Sequence, residues 1–233
     1  MLSAPLLLAS NSPRRKDMLS WLGWTFRVQA QDVDESPLPG EHPSRYVCRL
    51  AYEKAVSARK SARPGEWVVA ADTIVADGPE LLGKPQDQED ARRMLVQLRG
   101  RVHQVYTALA ILPVGESQPV QDLCCEDVAM RNYSGDEMDA YIASGDPLDK
   151  AGAYAIQHAG FRPVDSLDGC FACIMGMPLC HLARSLKKAG MPFQQDVSGI
   201  CQQNLDYTCP VHAQVLGWQG RYKQAESITG SKE

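Results

Sequence analysis

The sequence predicts an α/β fold built on a mixed β-sheet. Strand-like and helix-like segments alternate over residues 6–190, which is the pattern of this fold class. Residues 102–112 and 120–131 are two long strand-like segments joined by a turn-rich stretch, so we expect them to pair antiparallel. Residues 67–71 form a continuous apolar run of strand length, typical of a strand buried on both faces. A mixed sheet flanked by helices accommodates all three observations.

The N-terminal segment predicts a strand, a tight turn and a helix. Residues 6–9 are a short apolar run of strand length. Ser12 and Pro13 follow as a typical N-cap and first helical residue, and Gly23 is placed to end that helix. A second short strand is expected at residues 26–29.

The second predicted helix begins at Pro43 and Ser44. One stripe along it is formed by apolar or small residues at helical spacing, namely Val47, Leu50, Ala51 and Ala55. Lys54 falls on this same stripe.

The apolar strand at residues 67–71 is expected to end at Asp72 and Thr73. Asp77 and Gly78 follow, and this pair is a common turn sequence of β-hairpins. We therefore expect Asp72 at a strand end, with a hairpin shortly after it.

The remaining elements are predicted from their caps and periodicity. Asp87 and Gly100 begin and end a helix, and Ser134 begins another. Residues 153–157 are predicted as a short strand and residues 179–189 as a last helix.

Composition excludes several classes of protein. The 233 residues include 24 basic and 28 acidic side chains, for a net charge of −4, which argues against a strongly basic nucleic-acid-binding protein. A hydrophobic content of 44% and a charged content of 22% are close to the average of globular proteins. The apolar stretch near the start is far shorter than the roughly 20 residues that cross a bilayer, so no membrane association is expected.

The order of charge and hydrophobicity near the start predicts a cytoplasmic location. Arg14, Arg15 and Lys16 follow the apolar run, whereas a secretory signal has its positive charges first. Without a signal peptide, the eight cysteines are expected to be thiols in a reducing compartment.

Arg14 and Arg15 lie in the first turn of the first predicted helix, where the helix dipole already presents partial positive charge. That placement is useful if an anion docks there, because free backbone N–H groups, the hydroxyl of Ser10 and two guanidinium groups would together bind phosphate oxygens. The alternative is a solvated helix start with surface arginines.

Three further charged residues are candidates for chemistry. Asp72, after a buried strand, is a candidate metal ligand or general base, or else an Asp that merely starts a turn. Lys54 either extends outward along its apolar stem or points into a cleft toward an anionic substrate. Glu35, in an acidic loop, would supply a Mg²⁺ ligand or belong to a solvated run of charge.

The later cysteines suggest a zinc site. Cys170 and Cys173 form one C-x-x-C pair, but a structural zinc site needs four ligands. Cys201, Cys209 and His212 are the expected participants if zinc binds. The alternative is that the thiols are ordinary packing residues, and a disulfide is disfavoured in the cytoplasm.

Taken together, motifs over residues 6–190 resemble the Maf family of nucleoside triphosphate pyrophosphatases. The similarity is carried, in order, by the sequences Leu8-Ala9-Ser10-Asn11-Ser12-Pro13-Arg14-Arg15, Asp34-Glu35, Arg49-Leu50-Ala51-Tyr52-Glu53-Lys54-Ala55, Ala71-Asp72-Thr73-Ile74-Val75, Gly83-Lys84-Pro85, His103-Gln104-Val105-Tyr106-Thr107, Lys150-Ala151-Gly152-Ala153-Tyr154-Ala155-Ile156-Gln157 and Gly176-Met177-Pro178-Leu179.

The resemblance implies an elongated mixed β-sheet flanked by helices, with two lobes around a nucleotide cleft, an architecture shared with inosine triphosphatases. It implies a homodimer as well. It also implies hydrolysis of a nucleoside triphosphate to the monophosphate and pyrophosphate with Mg²⁺ or Mn²⁺, and the motifs resemble the branch that prefers dTTP and UTP. Asp72 is then the expected general base. Transferred to matching positions, the triphosphate-binding residues are Ser10, Arg14, Arg15, Lys54 and Lys84, the metal ligands are Glu35 and Asp72, and the residues that position the substrate are Thr73 and Gln157.

Two alternatives stay open from sequence. One is a nucleotide-sensing regulator of cell division without catalysis, and the other is a pyrophosphatase for other modified nucleotides. Residues 1–190 are expected to form the pyrophosphatase domain, and residues 191–233 a C-terminal extension with no clear periodicity.

Overall fold

The computed structural model describes residues 4–217, which fold around a mixed seven-stranded sheet. The strands are β1 (Leu6–Leu8), β2 (Phe26–Val28), β3 (Trp67–Asp77), β4 (Glu80–Leu82), β5 (Val102–Pro113), β6 (Val120–Met130) and β7 (Val164–Ser166). The helices are α1 (Pro13–Ser20), α2 (Pro43–Arg59), α3 (Gln88–Leu98), α4 (Gly135–Ala143), α5 (Phe171–Ile174), α6 (Leu179–Lys188), α7 (Val197–Leu205) and α8 (His212–Gly217). Two 3₁₀ turns, Asp146–Asp149 and Ala151–Ala153, follow α4.

The strand order is β2-β1-β3-β5-β6-β7, and β4 pairs with β3 as a hairpin. Strand β1 runs parallel to both β2 and β3, whereas the pairs β3–β5, β5–β6 and β6–β7 are antiparallel. The predicted mixed sheet, including the antiparallel pair of long strands, is therefore confirmed.

Helix starts follow their predicted caps. The side chain of Ser12 accepts a hydrogen bond from the backbone N–H of Arg15, and that of Asp87 accepts from Asp90. Ser134 forms a full capping box with Glu137, in which each side chain accepts from the other's backbone. These bonds satisfy N–H groups that the first helical turn leaves without partners.

Two predicted strand boundaries are wrong. Strand β3 does not end at Asp72 but continues to Asp77, because β5 is long enough to pair with it throughout, with Asp72 opposite Ala108. Residues 153–157 are not a strand. Gly152, directly before this stretch, has a φ of +67°, in the left-handed region, so the backbone turns instead of extending.

The C-terminal stretch contains structure that periodicity did not predict. Helices α7 and α8 pack against α6, and Val197 and Cys201 belong to the same core as α1 and α6. Residues 218–233 lie outside the described residues. The division into units 1–190 and 191–233 stays a prediction.

Three groups of buried side chains form the core. One lies under α1, α5 and α6, a second between α2 and the opposite face of the sheet, and a third under α3 and α4. Strand β3 runs through all three, since Val69 belongs to the first group, Ile74 to the second and Val75 to the third. The middle of β3 therefore lies where these three groups of buried side chains meet.

Alternation along β3 decides which way its polar residues face. Val68, Ala70 and Ile74 pack in the core beneath α2, and Val69 and Ala71 pack on the other face. Neighbouring strand residues point to opposite faces. Asp72 therefore faces α2, and Thr73 faces the side of the sheet that carries α1.

Among residues 4–217, no helix is long and apolar enough to cross a membrane.

Candidate active site

A cleft of about 710 Å³ lies beside the middle of β3. Its walls come from the β1–α1 turn, the loop before α2, the β4–α3 loop and the 3₁₀ turns after α4. The predicted site residues among those that line it are Ser10, Arg14, Arg15, Glu35, Lys54, Asp72, Thr73 and Lys84. Segments far apart in sequence thus meet at one concave surface.

Lys54 and Asp72 form an ion pair at the floor of this cleft. The Nζ atom of Lys54 lies 2.6 Å from Oδ1 of Asp72 and 2.6 Å from Oε1 of Glu35. Lys54 therefore points inward from the apolar stripe of α2 and does not extend to solvent. The side chain of Asp72 is 9% exposed, whereas that of Glu35 is 59% exposed, so the ammonium joins a buried carboxylate to one at the cleft mouth.

Burial raises the pKa of the Asp72 carboxyl above its ordinary value, although Lys54 and Arg15 oppose this effect. A carboxylate with a raised pKa is a stronger base than one in water, which is a property of acid–base catalysts. The loop that carries Glu35 is fixed by Tyr46, whose hydroxyl donates to the Glu35 carbonyl at 2.8 Å.

Arg15 is tied to the protein at almost every N–H group of its guanidinium. It donates to the carbonyls of Ala71 at 2.8 Å and Gly176 at 2.9 Å. It also donates to the hydroxyls of Ser10 at 3.3 Å and Thr73 at 2.8 Å. These four bonds leave Arg15 little capacity for an added anion, and they join the β1–α1 turn to β3 and to the segment after α5.

The hydrogen bonds continue behind Arg15. Thr73 contacts the hydroxyl of Thr107 at 2.9 Å, and Thr107 donates to the carbonyl of Cys173 at 2.8 Å. Because Thr107 has one proton and gives it to Cys173, the proton between the two threonines comes from Thr73. Thr107 is wholly buried and holds the cleft wall from behind.

Arg14 and Lys84 line the cleft in a different state. Within the described part of the chain, neither side chain makes a hydrogen bond or an ion pair. Lys84 is exposed and Arg14 is half-buried. Two cations at the rim of a cleft, with no acidic partner among residues 4–217, are suited to bind an anion.

Lys150 is a cleft residue that was not among the predicted site residues. It is buried, and its Nζ donates to Asp149 at 2.6 Å and to Asp146 at 3.0 Å. The turn that carries it packs tightly on β3, since a Cβ at Gly152 would lie 2.9 Å from Val75. A lysine next to acidic residues in a loop produces no hydrophobic periodicity. Only its place in the family motif at residues 150–157 indicated that it is part of the site.

Four predicted residues lie elsewhere. Gln157 is exposed and does not line the cleft. Cys201, Cys209 and His212 line a second, much smaller cavity beside Cys170. Substrate positioning by Gln157 and zinc binding by that set of three remain predictions.

The donors in the cleft fit a hard divalent cation. Glu35 and Asp72 present carboxylate oxygens on either side of the Lys54 ammonium, and oxygen ligands of this kind are those that Mg²⁺ prefers. The described lining residues include no cysteine or histidine. The chemistry of the donor set therefore agrees with the Mg²⁺ or Mn²⁺ that the resemblance implies.

The fold and this cleft define an α/β protein whose cleft has two cations at its rim and a buried, lysine-paired carboxylate at its floor. Residues 5–189 match the family model described as "Maf-like protein", and the chain belongs to the Maf family. The predicted family is confirmed.

Several relatives of the chain share one name. A "dTTP/UTP pyrophosphatase" of Myxococcus xanthus is 48% identical over 80% of this chain and 93% of the relative. Another of that name, from Thermomicrobium roseum, is 44% identical over 88% of this chain and 93% of the relative. The second match is longer than residues 5–189, so it extends into the C-terminal extension after residue 190.

A solved structure, "The structure of the Staphylococcus aureus Ham1 protein", covers 55% of this chain and 72% of its own, with a TM-score of 0.35 and 14% identity. A TM-score this low bears on neither fold nor function.

Proposed function

We propose that this protein hydrolyses dTTP and UTP to the nucleoside monophosphate and pyrophosphate. The observation that carries the proposal is the buried Asp72–Lys54 pair at the floor of a cleft whose rim presents Arg14 and Lys84. The names of relatives 40–48% identical over most of their length support the activity and the two nucleotides.

The cations divide the work of binding the triphosphate. Arg14 and Lys84, free of protein partners among residues 4–217, bind the β- and γ-phosphates. Lys54 and Ser10 face the same cleft from its floor, and the N–H groups at the start of α1 add donors. Arg15 acts differently, because its bonds to Ser10, Ala71, Thr73 and Gly176 hold these groups in place.

Asp72 accepts the proton from the attacking water. The water oxygen forms a bond to the α-phosphorus, the bond from that phosphorus to the oxygen bridging to the β-phosphorus breaks, and pyrophosphate leaves. The cations around the leaving pyrophosphate stabilise the charge that it gains as the bond breaks. Lys54 keeps Asp72 oriented and lines the same cleft as the substrate.

Glu35 and Asp72 would hold the Mg²⁺ or Mn²⁺ ion. A bound divalent cation offsets phosphate charge and lowers the pKa of a coordinated water. The homodimer that the resemblance implies is not needed to complete the described cleft, and it stays a prediction.

The test is pyrophosphate release from the common and modified nucleoside triphosphates, each with Mg²⁺. We expect release from dTTP and UTP at rates well above those of the purine nucleotides. Preferred release from a modified nucleotide would replace the proposed substrates. Binding of nucleotides without release from any would contradict an enzymatic role and favour a sensor.

A further inference from the structure

Cysteines from three distant parts of the chain meet on the α6 side of the sheet. Cys124 lies on β6, Cys170 directly precedes α5, and Cys209 lies between α7 and α8. Ligand atoms of Cys124, Glu126 and Cys170 all lie within 4.8 Å of one another, and within residues 4–217 this is the one group of three or more metal-ligating side chains that does so.

The spacing of these atoms suits a thiolate-bound metal. With Zn–S bonds of about 2.3 Å, tetrahedral geometry puts ligand atoms roughly 3.8 Å apart. The Sγ of Cys124 lies 3.4 Å from Oε1 of Glu126, and the thiol of Cys170 is a hydrogen-bond neighbour of those of Cys124 and Cys209. Cys209 adjoins these three side chains through Cys170, which makes it the candidate for a fourth ligand.

The backbone near Cys170 is shaped to admit Glu126. A Cβ at Gly169 would fall 2.0 Å from Oε2 of Glu126, so the carboxylate packs directly against this glycine. Any other residue at 169 would displace the carboxylate from its place beside Cys170. Glu126 is half-buried, so the group is not fully enclosed by protein.

Hydrogen bonds hold the segment that carries Cys209 against the backbone beside Cys170. The hydroxyl of Tyr207 shares its one proton between the carbonyls of Gly169 at 2.8 Å and Leu167 at 3.1 Å. The backbone N–H of Cys209 donates to Oε1 of Gln202 at 2.9 Å, which fixes the loop that carries this thiol. Cys209 is half-buried and at the edge of the group, whereas Cys173, the other neighbouring thiol, is wholly buried.

We propose that Cys124, Cys170, Cys209 and Glu126 bind one Zn²⁺ ion that fastens the C-terminal segment to the sheet. None of the four lines the catalytic cleft, so the site is separate from the one that takes Mg²⁺ or Mn²⁺. Three thiolates with one carboxylate favour zinc over the hard cations. Of the three ligands predicted from sequence, this site includes Cys209 alone, because spacing in the sequence cannot bring in β6.

The first experiment measures metal in the full chain. Untagged protein, washed with EDTA to remove loosely held ions, is expected to retain about one zinc per chain by mass spectrometry. Replacement by Co²⁺ is expected to produce sulfur-to-cobalt charge-transfer absorption and the visible bands of a tetrahedral site. Magnesium bound by carboxylates produces neither signal, so the result does not depend on the proposed catalysis.

Variants identify the ligands. Cys209→Ser, in a half-buried loop, is expected to lose most of the zinc and to weaken the charge-transfer band, and Glu126→Gln to weaken zinc binding with that band retained. Cys125→Ser is the matched control, because Cys125 is exposed and adjacent to Cys124 on β6. Zinc far below one per chain with no cobalt absorption in the native protein would overturn the proposal. So would a disulfide found among these cysteines in protein kept under reducing conditions, or zinc unchanged in Cys209→Ser.

Discussion

Oδ1 of Asp72 lies 2.6 Å from Nζ of Lys54, and this contact joins the middle of β3 to α2 inside the cleft. Each residue is about nine-tenths buried and has a charge that would be costly to bury alone. The pair therefore has two roles, since it neutralises charge in the fold and places a base beside the substrate.

Replacing Lys54 by Met is expected to lower the free energy of unfolding by roughly 3 kcal/mol, because Asp72 stays buried without its partner. Urea denaturation measures this. In an Asp72→Asn background the same change should cost much less, since no charge is left uncompensated. Equal costs in the two backgrounds would contradict the stabilising role of the pair.

Asp72→Asn is expected to reduce the turnover of dTTP by about 10²-fold or more, the contribution of a positioned acid–base group, with the fold retained. Steady-state pyrophosphate release measures the loss. Asp77→Asn is the control, because Asp77 lies on the same strand but outside the cleft. Full activity in the Asp72 variant would remove this residue from the mechanism.

Arg14→Ala is expected to raise KM for dTTP by roughly tenfold, the size of one charge-assisted hydrogen bond. Little loss of stability is expected, because the Arg14 side chain makes no hydrogen bond or ion pair with residues 4–217. Lys16→Ala, on the same helix and exposed, should change neither constant. Unchanged kinetics in Arg14→Ala would mean that the start of α1 is only a solvated helix end.

The burial of His103 is expected to make the free energy of unfolding fall in acid. Burial lowers the pKa of its imidazole to about 4, and its Nε2 contacts the hydroxyl of Tyr154 at 2.9 Å. An unfolded histidine has a pKa of about 6.5, so between these values the unfolded chain binds a proton that the folded chain does not. The free energy of unfolding should therefore fall by roughly 3 kcal/mol as the pH drops from 6.5 to 4.

The check is urea denaturation across this pH range, in the native protein and in His103→Gln. Gln cannot take up a proton, so the difference in stability between the two proteins should shrink as the pH falls. A difference that stays constant from pH 6.5 to 4 would show that His103 does not titrate on unfolding.

Local signals predicted most of the fold. Caps at Ser12, Asp87 and Ser134 marked helix starts because each side chain bonds to backbone within its own turn. The end of β3 was missed because it depends on pairing with β5, which begins 25 residues after Asp77. Helices α7 and α8 were missed for a similar reason, since they are stabilised by packing on α6.

The candidate site was predicted in composition more than in arrangement. Lys54 on an apolar stripe was a true signal, because a charge among core positions needs a partner such as Asp72. The sequence could not predict that the Arg15 side chain is hydrogen-bonded to the protein while that of Arg14 is not. Both residues lie in one helical turn, and only tertiary acceptors such as the carbonyl of Gly176 distinguish them. The thiols of Cys124 and Cys170 are separated by 45 residues of chain and meet only in the folded protein.

Asp72 and Thr73 are adjacent in β3 but face opposite sides of the sheet, one toward Lys54 and the other toward Arg15. Moving the strand by one residue against β5 would exchange these two faces and would leave a hydroxyl where the base stands. The number of residues in β3 is thus under a stricter constraint than their identity. Among natural variants of this chain, apolar replacements should be common along the strand, and insertions or deletions within it should be absent.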